Sequence, residues 1–435
     1  MHPATSWPDL ADAVVGVWGL GVEGAASVRR LGVMGVTPIL VDDHPTATAV
    51  DGLEVLPTDQ GGLEALRRCD VVVKSPGISL YRPEVATLTD AGVLLRGGLG
   101  LWLESVDRTA VACITGTKGK STTTALCVHL LNHLGHRAEA GGNIGVAPWD
   151  PDVGDHAGTW IIETSSFQVP SLTCGPPVVA VTSLSPDHLD WHGSVERYYT
   201  DKLSLCTKPG VGLALAEGTS PTLRAQRDQL GPHCEWVDTA TGLLLPNLPG
   251  VHNARNAAMA QAVAVALGVV EAADDAVALE ALQEFRGLPS RCQSLGQVGG
   301  VEFVDDSLST NVLPAQAALA AFDTRPVALL VGGSDRGIDY GPLADSVAAR
   351  RQPTLVVTLP DNGPTIGALI RARAAQVTVV DADDLDQAVA LAFDWANEGS
   401  VVLLSPAAPS FGHFANYRVR GDAFAAAARR CGPLG

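Results

Sequence analysis

The chain has 435 residues, 46% of them hydrophobic and only 17% charged, the profile of a folded protein of two or three domains and not of long disorder. A formal charge of −18 argues against unspecific binding to nucleic acid or to an anionic membrane, since both would repel the protein at long range, while local phosphate sites stay compatible with it. Residues 1–9 join no basic start to an apolar stretch, and no run reaches the ~20 apolar residues of a membrane span, so a cytoplasmic location is expected.

The first segment opens on the apolar run Ala13 to Trp18 and passes through Gly19-Leu20-Gly21-Val22-Glu23-Gly24 into a helical stretch reaching Arg30. A second strand follows over Thr37 to Val41. That order is a β-α-β unit, and strand-like runs at Val71 to Val73 and Val93 to Leu95 extend a parallel sheet. Gly19, Gly21 and Gly24, with Asp42 about twenty residues on, satisfy a dinucleotide fingerprint. The glycines let a pyrophosphate approach the backbone at a helix N-terminus, and the acid can take a ribose hydroxyl. The pattern does not separate NAD from another nucleotide diphosphate, and a purely structural tight turn has the same spelling.

The second segment begins with the buried strand Thr109 to Thr115, which feeds Gly116-Thr117-Lys118-Gly119-Lys120-Ser121-Thr122 and then a helix from Ser121 to about Gly135. Backbone N–H groups and the helix dipole favour an anion there; Lys120 would reach the terminal phosphates of ATP, and the Ser121 hydroxyl would ligate Mg²⁺. Ile114 stands where the first glycine of the full phosphate-loop spacing would be. Strands follow at Thr159 to Ile162 and Val178 to Thr182, and helices after His252 and over Leu279 to Phe285. Glu163, at the carboxyl end of the strand before Thr164-Ser165-Ser166-Phe167-Gln168, suits Mg²⁺ coordination or is a solvated strand-end acid. Asp187-His188-Leu189-Asp190-Trp191-His192 gathers two acids and two imidazoles. His188 and His192 read as a zinc pair, as Mg²⁺ neighbours, or as hydrogen-bonded structure, with Mg²⁺ favoured beside a phosphate loop. Lys202, on these grounds alone, is an ordinary surface lysine.

The third segment starts near Arg291 and alternates strands with helices, as at Val327 to Val331, Thr354 to Thr358, Val377 to Val380 and Val401 to Leu404. All three segments read as α/β: a Rossmann-like domain over residues 1–104, a phosphate-loop ATP-binding domain over 105–289 and a second Rossmann-like domain over 290–435. The eight cysteines are scattered with no C-x-x-C pair, so buried reduced thiols are expected.

Taken in order, the motifs resemble those of the Mur ligases, the three-domain cytoplasmic enzymes that build the peptidoglycan stem peptide, and most closely their glutamate-adding members. The resemblance rests on Gly116 to Thr122, Gly142-Asn143-Ile144-Gly145, Glu163 to Gln168, Asp187 to Asp190 and Lys202-Leu203. It continues through His252-Asn253 with Asn256, Gly287-Leu288-Pro289 with Arg291, Asp306-Ser307 with Thr310-Asn311, Gly332 to Gly337, and Leu404 to Ser410. It implies that Gly116 to Thr122, Asn256, Arg291 and Asp306 bind ATP, and that Ser121 and Glu163 hold one Mg²⁺. His188 and a carbamylated Lys202 would hold a second ion. Gly19, Gly21, Gly24, Asp42 and Ser75 would bind the uridine diphosphate of the acceptor, UDP-N-acetylmuramoyl-L-alanine. Asn143 would contact the rest of that acceptor, Ser165 would be a further substrate-binding residue, and Thr310, Arg336, Ser410 and Tyr417 would face the glutamate.

Three positions depart from the common glutamate-adding pattern: Lys118 replaces Asn, Leu308 replaces Lys, and Ser290 replaces His. The loop with Lys118 and the Gly-x-Gly-x-Glu-Gly start resemble a divergent branch that adds L-glutamate, with an epimerase acting afterwards; addition of D-glutamate is the alternative. Outside the family, an NAD-dependent oxidoreductase would use the first fingerprint but leave the second loop, Glu163 and Lys202 without a purpose. A nucleotide-regulated ATP hydrolase is the other rival.

Overall fold

Unbroken runs of Val, Ile, Leu and Ala become the strands of three six-stranded sheets in the computed structural model. It describes residues 6–435 apart from 46–48, 51, 145, 154–157, 240–244, 247, 249, 272–275, 286, 289, 311, 335–338, 409, 411–412 and 415–416. The first sheet comprises β1 (Val15–Trp18), β2 (Ile39–Asp42), β3 (Ala49–Val50), β4 (Leu53–Pro57), β5 (Val71–Lys74) and β6 (Leu94–Arg96), in the order β3-β4-β2-β1-β5-β6. The second comprises β7 (Val111–Thr115), β8 (Ala138–Gly142), β9 (Thr159–Glu163), β10 (Val178–Val181), β11 (Leu213–Glu217) and β12 (Cys234–Val237), in the order β12-β11-β10-β7-β9-β8. The third comprises β13 (Gln293–Val298), β14 (Val301–Asp305), β15 (Val327–Val331), β16 (Thr354–Thr358), β17 (Thr378–Asp381) and β18 (Val401–Leu404), in the order β13-β14-β18-β15-β16-β17. Pairing is parallel except at β3–β4 and β13–β14. Every residue of β1, β5, β7, β10, β15, β16 and β18 is buried, because parallel strands covered by helices have no solvent face.

The chain divides into two compact units, residues 1–243 with 251–282 and residues 244–250 with 283–435. The first unit carries the first two sheets over one shared core, in which Trp7 and Trp149 lie 6.3 Å apart and Trp149 Nε1 donates to Ser27 Oγ at 3.1 Å. Arg29 ion-pairs with Asp150 in the same seam. The second unit carries the third sheet. Among the described residues no helix is long and apolar enough to cross a membrane. Cys69, Cys113, Cys127, Cys174 and Cys206 are buried as expected, whereas Cys234, Cys292 and Cys431 are half-buried; all eight are free thiols.

Strand order decides where ligands can sit. In the second sheet β7 lies between β9 and β10, so the chain leaves its carboxyl end where connections diverge to either side. Such a switch point opens a crevice beyond the strand ends. In the first sheet β1 holds the same position between β2 and β5, with Gly19 to Gly24 at its end.

Candidate active site

β7 delivers the chain into Gly116 to Gly119, and the helix Lys120–His133 leaves it, so the loop lies on a helix N-terminus. Gly119 has φ +88°, and a Cβ there would stand 2.5 Å from Asn256 Oδ1. Asn256, on the helix Val251–Ala266, therefore reaches the loop only because that position is glycine. Thr182 and Ser183 hydroxyls both donate to the Lys118 carbonyl, at 2.6 and 2.9 Å, and Thr117 Oγ1 lies 2.9 Å from the Tyr198 hydroxyl. Held this way, the loop directs Lys118 Nζ to Asp187, at 3.2 Å, and Lys120 Nζ back onto the Thr117 carbonyl, also at 3.2 Å. Ser121 and Thr122 are buried on the first helical turn.

Glu163 ends β9 beside this loop and is 2% exposed. Asn143 Nδ2 donates to its Oε1 at 2.7 Å, while Oε2 is buried without a hydrogen-bond partner. A buried carboxylate oxygen left this way is costly, and a cation satisfies it. Lys202 is not the surface lysine its sequence context implied. It is 1% exposed, donates to the Gly116 carbonyl at 2.9 Å and lies 5.1 Å from the Tyr198 ring centre. Burial, and next the Lys120 ammonium, push its amine well below the ordinary lysine range, against the pull of Asp187 and Glu163. His188 is half-exposed, sits at φ 50° and packs on Phe167 with rings 4.8 Å apart. Burial, with Lys202 and Lys120 nearby, holds it below its usual value in spite of Asp187, which favours the neutral imidazole that metals bind.

His192 does not pair with His188 as a zinc ligand. Its Nδ1 lies 2.6 Å from Asp201 Oδ2 and its Nε2 3.0 Å from Ser166 Oγ, so both ring nitrogens are engaged. Asp201 also accepts from the Tyr81 hydroxyl at 2.8 Å, which ties this cluster to the first sheet's domain. Tyr81 and Tyr198 carried no sequence signal, because their partners Asp201 and Thr117 lie far away in the chain, and Asp201 reads as an ordinary helix-face acid.

In the first glycine loop, Asp42 Oδ2 accepts from Leu20 N at 2.6 Å and Ser75 Oγ donates to the Gly19 carbonyl at 2.5 Å, so both cinch the loop. A Cβ on Gly24 would lie 1.9 Å from the Gly19 oxygen, whereas one on Gly21 meets nothing within 4 Å. Gly24→Ala is expected to destabilise the fold by about 2–3 kcal/mol through overpacking, and Gly21→Ala to leave it unchanged, as measured by denaturant midpoints.

In the second unit, Asp306 is 2% exposed, and its oxygens accept from Cys292 N at 3.1 Å, Ser309 Oγ at 2.5 Å and Ser405 Oγ at 2.6 Å. Burial pushes it up to about 6 against these bonds. It thus ties the Arg291-Cys292 segment to the ends of β14 and β18. Thr310 is half-buried, Ser410 is buried, and Tyr417 opens the helix Tyr417–Cys431. Arg336 lies outside the described residues. Arg420, which the sequence did not single out, is 1% exposed and donates to Ser307 O at 2.8 Å and Ala408 O at 3.1 Å, joining the stretches that carry Thr310 and Ser410.

A phosphate loop beside a buried carboxylate with an unpartnered oxygen, on sheets arranged for nucleotides, fits a phosphoryl-transferring nucleotide enzyme. The Mur ligase MurD-like N-terminal domain matches residues 13–97, the Mur ligase middle domain residues 114–230, and the Mur ligase glutamate ligase domain residues 290–408. The chain belongs to the Mur ligase family, and is an ATP-dependent, amide-bond-forming ligase of peptidoglycan synthesis. It is 39% identical over 455 residues to the UDP-N-acetylmuramoyl-L-alanine–L-glutamate ligase of Xanthomonas euvesicatoria pv. vesicatoria, covering 96% of this chain and 95% of the relative. It is 38% identical over 454 residues to the protein of the same name from a Micromonospora species, with 97% of each chain covered. The solved UDP-N-acetylmuramate–alanine ligase of Thermotoga maritima shares the fold, with a TM-score of 0.59 at 18% identity, over 96% of this chain and 99% of that one. Family membership sets aside the oxidoreductase and the non-ligating hydrolase.

Proposed function

We propose that this ligase joins L-glutamate to the free carboxylate of UDP-N-acetylmuramoyl-L-alanine, releasing ADP and phosphate. The names borne by its relatives support the substrates and the L isomer. One observation carries the chemistry: the partnerless oxygen of Glu163 stands at the same sheet end as the Gly116 to Ser121 loop. Backbone N–H groups of Gly116 to Thr122, with Asn256, cradle the ATP phosphates, and Lys120 swings from the Thr117 carbonyl to the terminal ones. Glu163 and Ser121 hold one Mg²⁺, and His188 and Lys202 a second; these ions neutralise charge on the phosphate oxygens when bound. Carbamylation of Lys202 suits its place, because a neutral buried amine can take up CO₂ and become an anionic oxygen ligand among Lys118 and Lys120.

Gly19, Gly21 and Gly24, set by Asp42 and Ser75, receive the uridine diphosphate, and Asn143 and Ser165 meet the far end of the acceptor. The terminal phosphate passes to the acceptor carboxylate, and the glutamate amine displaces it from the acyl phosphate to leave an amide. Arg291 serves the nucleotide, with Asp306 shaping the segment that carries it, and Thr310, Arg336, Ser410 and Tyr417 serve glutamate. Domain limits of 1–104, 105–289 and 290–435, a cytoplasmic location, and an epimerase that later inverts the added residue complete the reading.

ADP release with Mg²⁺-ATP and UDP-N-acetylmuramoyl-L-alanine tests it. Turnover is expected with L-glutamate at least tenfold above that with D-glutamate. Preference for the D form overturns the isomer, and inactivity with both overturns the substrate assignment.

A further inference from the structure

Glu23, the acid inside the first glycine loop, has no part in the roles above. It lies on the first turn of the helix Val22–Val33, in a narrow cleft that Lys74, Phe167 and Gln168 also line. Gln168 Nε2 donates to Glu23 Oε1 at 2.6 Å, between residues 145 positions apart in the chain. The other end of the same amide, Oε1, accepts from Ser165 N at 2.7 Å and from Ser165 Oγ at 3.1 Å. A carboxylate only accepts, so Glu23 takes the amide NH₂ and leaves the amide oxygen for Ser165. Behind it, Lys74 Nζ donates to Ile78 O at 2.6 Å and Ser75 O at 3.0 Å, so the cation facing Glu23 also holds the Ser75 to Ile78 turn. Three loops from two domains meet at one side chain.

We infer that Glu23 is a positioning residue for the acceptor: by fixing which way Gln168 faces, it sets Ser165 in register with the loop that holds the acceptor's diphosphate. The inference rests on the proposed acceptor. Without the carboxylate, Gln168 can flip and set its NH₂ against the Ser165 N–H, which removes the bond from that N–H and reverses the one with the Ser165 hydroxyl. Burial pushes Glu23 up to about 7 against the pull of the Gln168 hydrogen bond and of Lys74, so both partners favour the acid's acceptor-only form.

Steady-state kinetics on Glu23→Ala, Gln168→Glu and the exchange pair Glu23→Gln with Gln168→Glu test this. Glu23→Ala is expected to raise the acceptor KM by about tenfold or more, the scale of a lost charge-assisted bond, with the ATP KM within about twofold. Gln168→Glu, which sets two carboxylates against each other, should do the same. The exchange pair re-forms the chain with donor and acceptor reversed and should recover most of the loss, a rescue available even if Glu23→Ala does not fold. Unchanged acceptor KM in folded Glu23→Ala, equal rises for ATP and acceptor, or no rescue by the pair would each overturn the inference. An active wild type with these results leaves the proposed function standing; an inactive wild type overturns both.

Discussion

Replacing Lys120 with methionine is expected to lower kcat by about 10³-fold or more while the acceptor KM stays within about threefold. The asymmetry follows from where charge moves. In the proposed ground state the loop N–H groups and the helix N-terminus hold the ATP phosphates, and the substitution leaves both in place. As the terminal phosphoryl group departs, negative charge grows on oxygens within reach of the ammonium, and only there does Lys120 strengthen its hold. Lys120 is half-buried, and its bond to the Thr117 carbonyl in the resting loop is 3.2 Å long, so the melting temperature should stay within about 2 °C. Lys120→Arg is not expected to rescue, because a planar guanidinium cannot stand in for a point charge between Gly119 and Ser121. A kcat within tenfold of the parent would remove Lys120 from the chemical step.

Glu163→Gln should lower kcat by about 10²–10³-fold and remove the part of the Mg²⁺-ATP rise in melting temperature that depends on Mg²⁺. The amide keeps an oxygen for Asn143 Nδ2 but turns the partnerless Oε2 into an NH₂, which cannot ligate a cation. Without metal, the variant should melt no lower than the parent, since a buried anion with one unpaired oxygen has become neutral. Activity and metal-free stability therefore move independently. A variant that loses stability without Mg²⁺, yet keeps the ligand-induced rise, would show that Glu163 is structural.

Much of this was legible in the chain because the decisive features are local. Gly116 to Ser121 is a continuous stretch whose geometry depends on its own glycines and the helix that follows, and β7, β15, β16 and β18 are unbroken apolar runs. β11, Leu-Ala-Leu-Ala-Glu, escaped notice because its residues favour helices; burial between β10 and β12 overrides that preference. The β13–β14 hairpin was readable from Gly299-Gly300, whose φ values of 58° and 78° suit a two-residue turn. The largely polar stretch Gln293 to Gln297 hides its first strand.

The phosphate loop, the order of the family motifs and the three α/β segments are thus properties of the sequence by itself. The sheet order that sets Glu163 against that loop, the burial of Lys202 on the Gly116 carbonyl, the engagement of both His192 nitrogens and the joint from Glu23 through Gln168 to Ser165 were decided only by the tertiary structure. The reason is physical. A loop's backbone is shaped by its neighbours in the chain, whereas the burial and hydrogen-bond partner of a charged side chain depend on groups that only packing brings near.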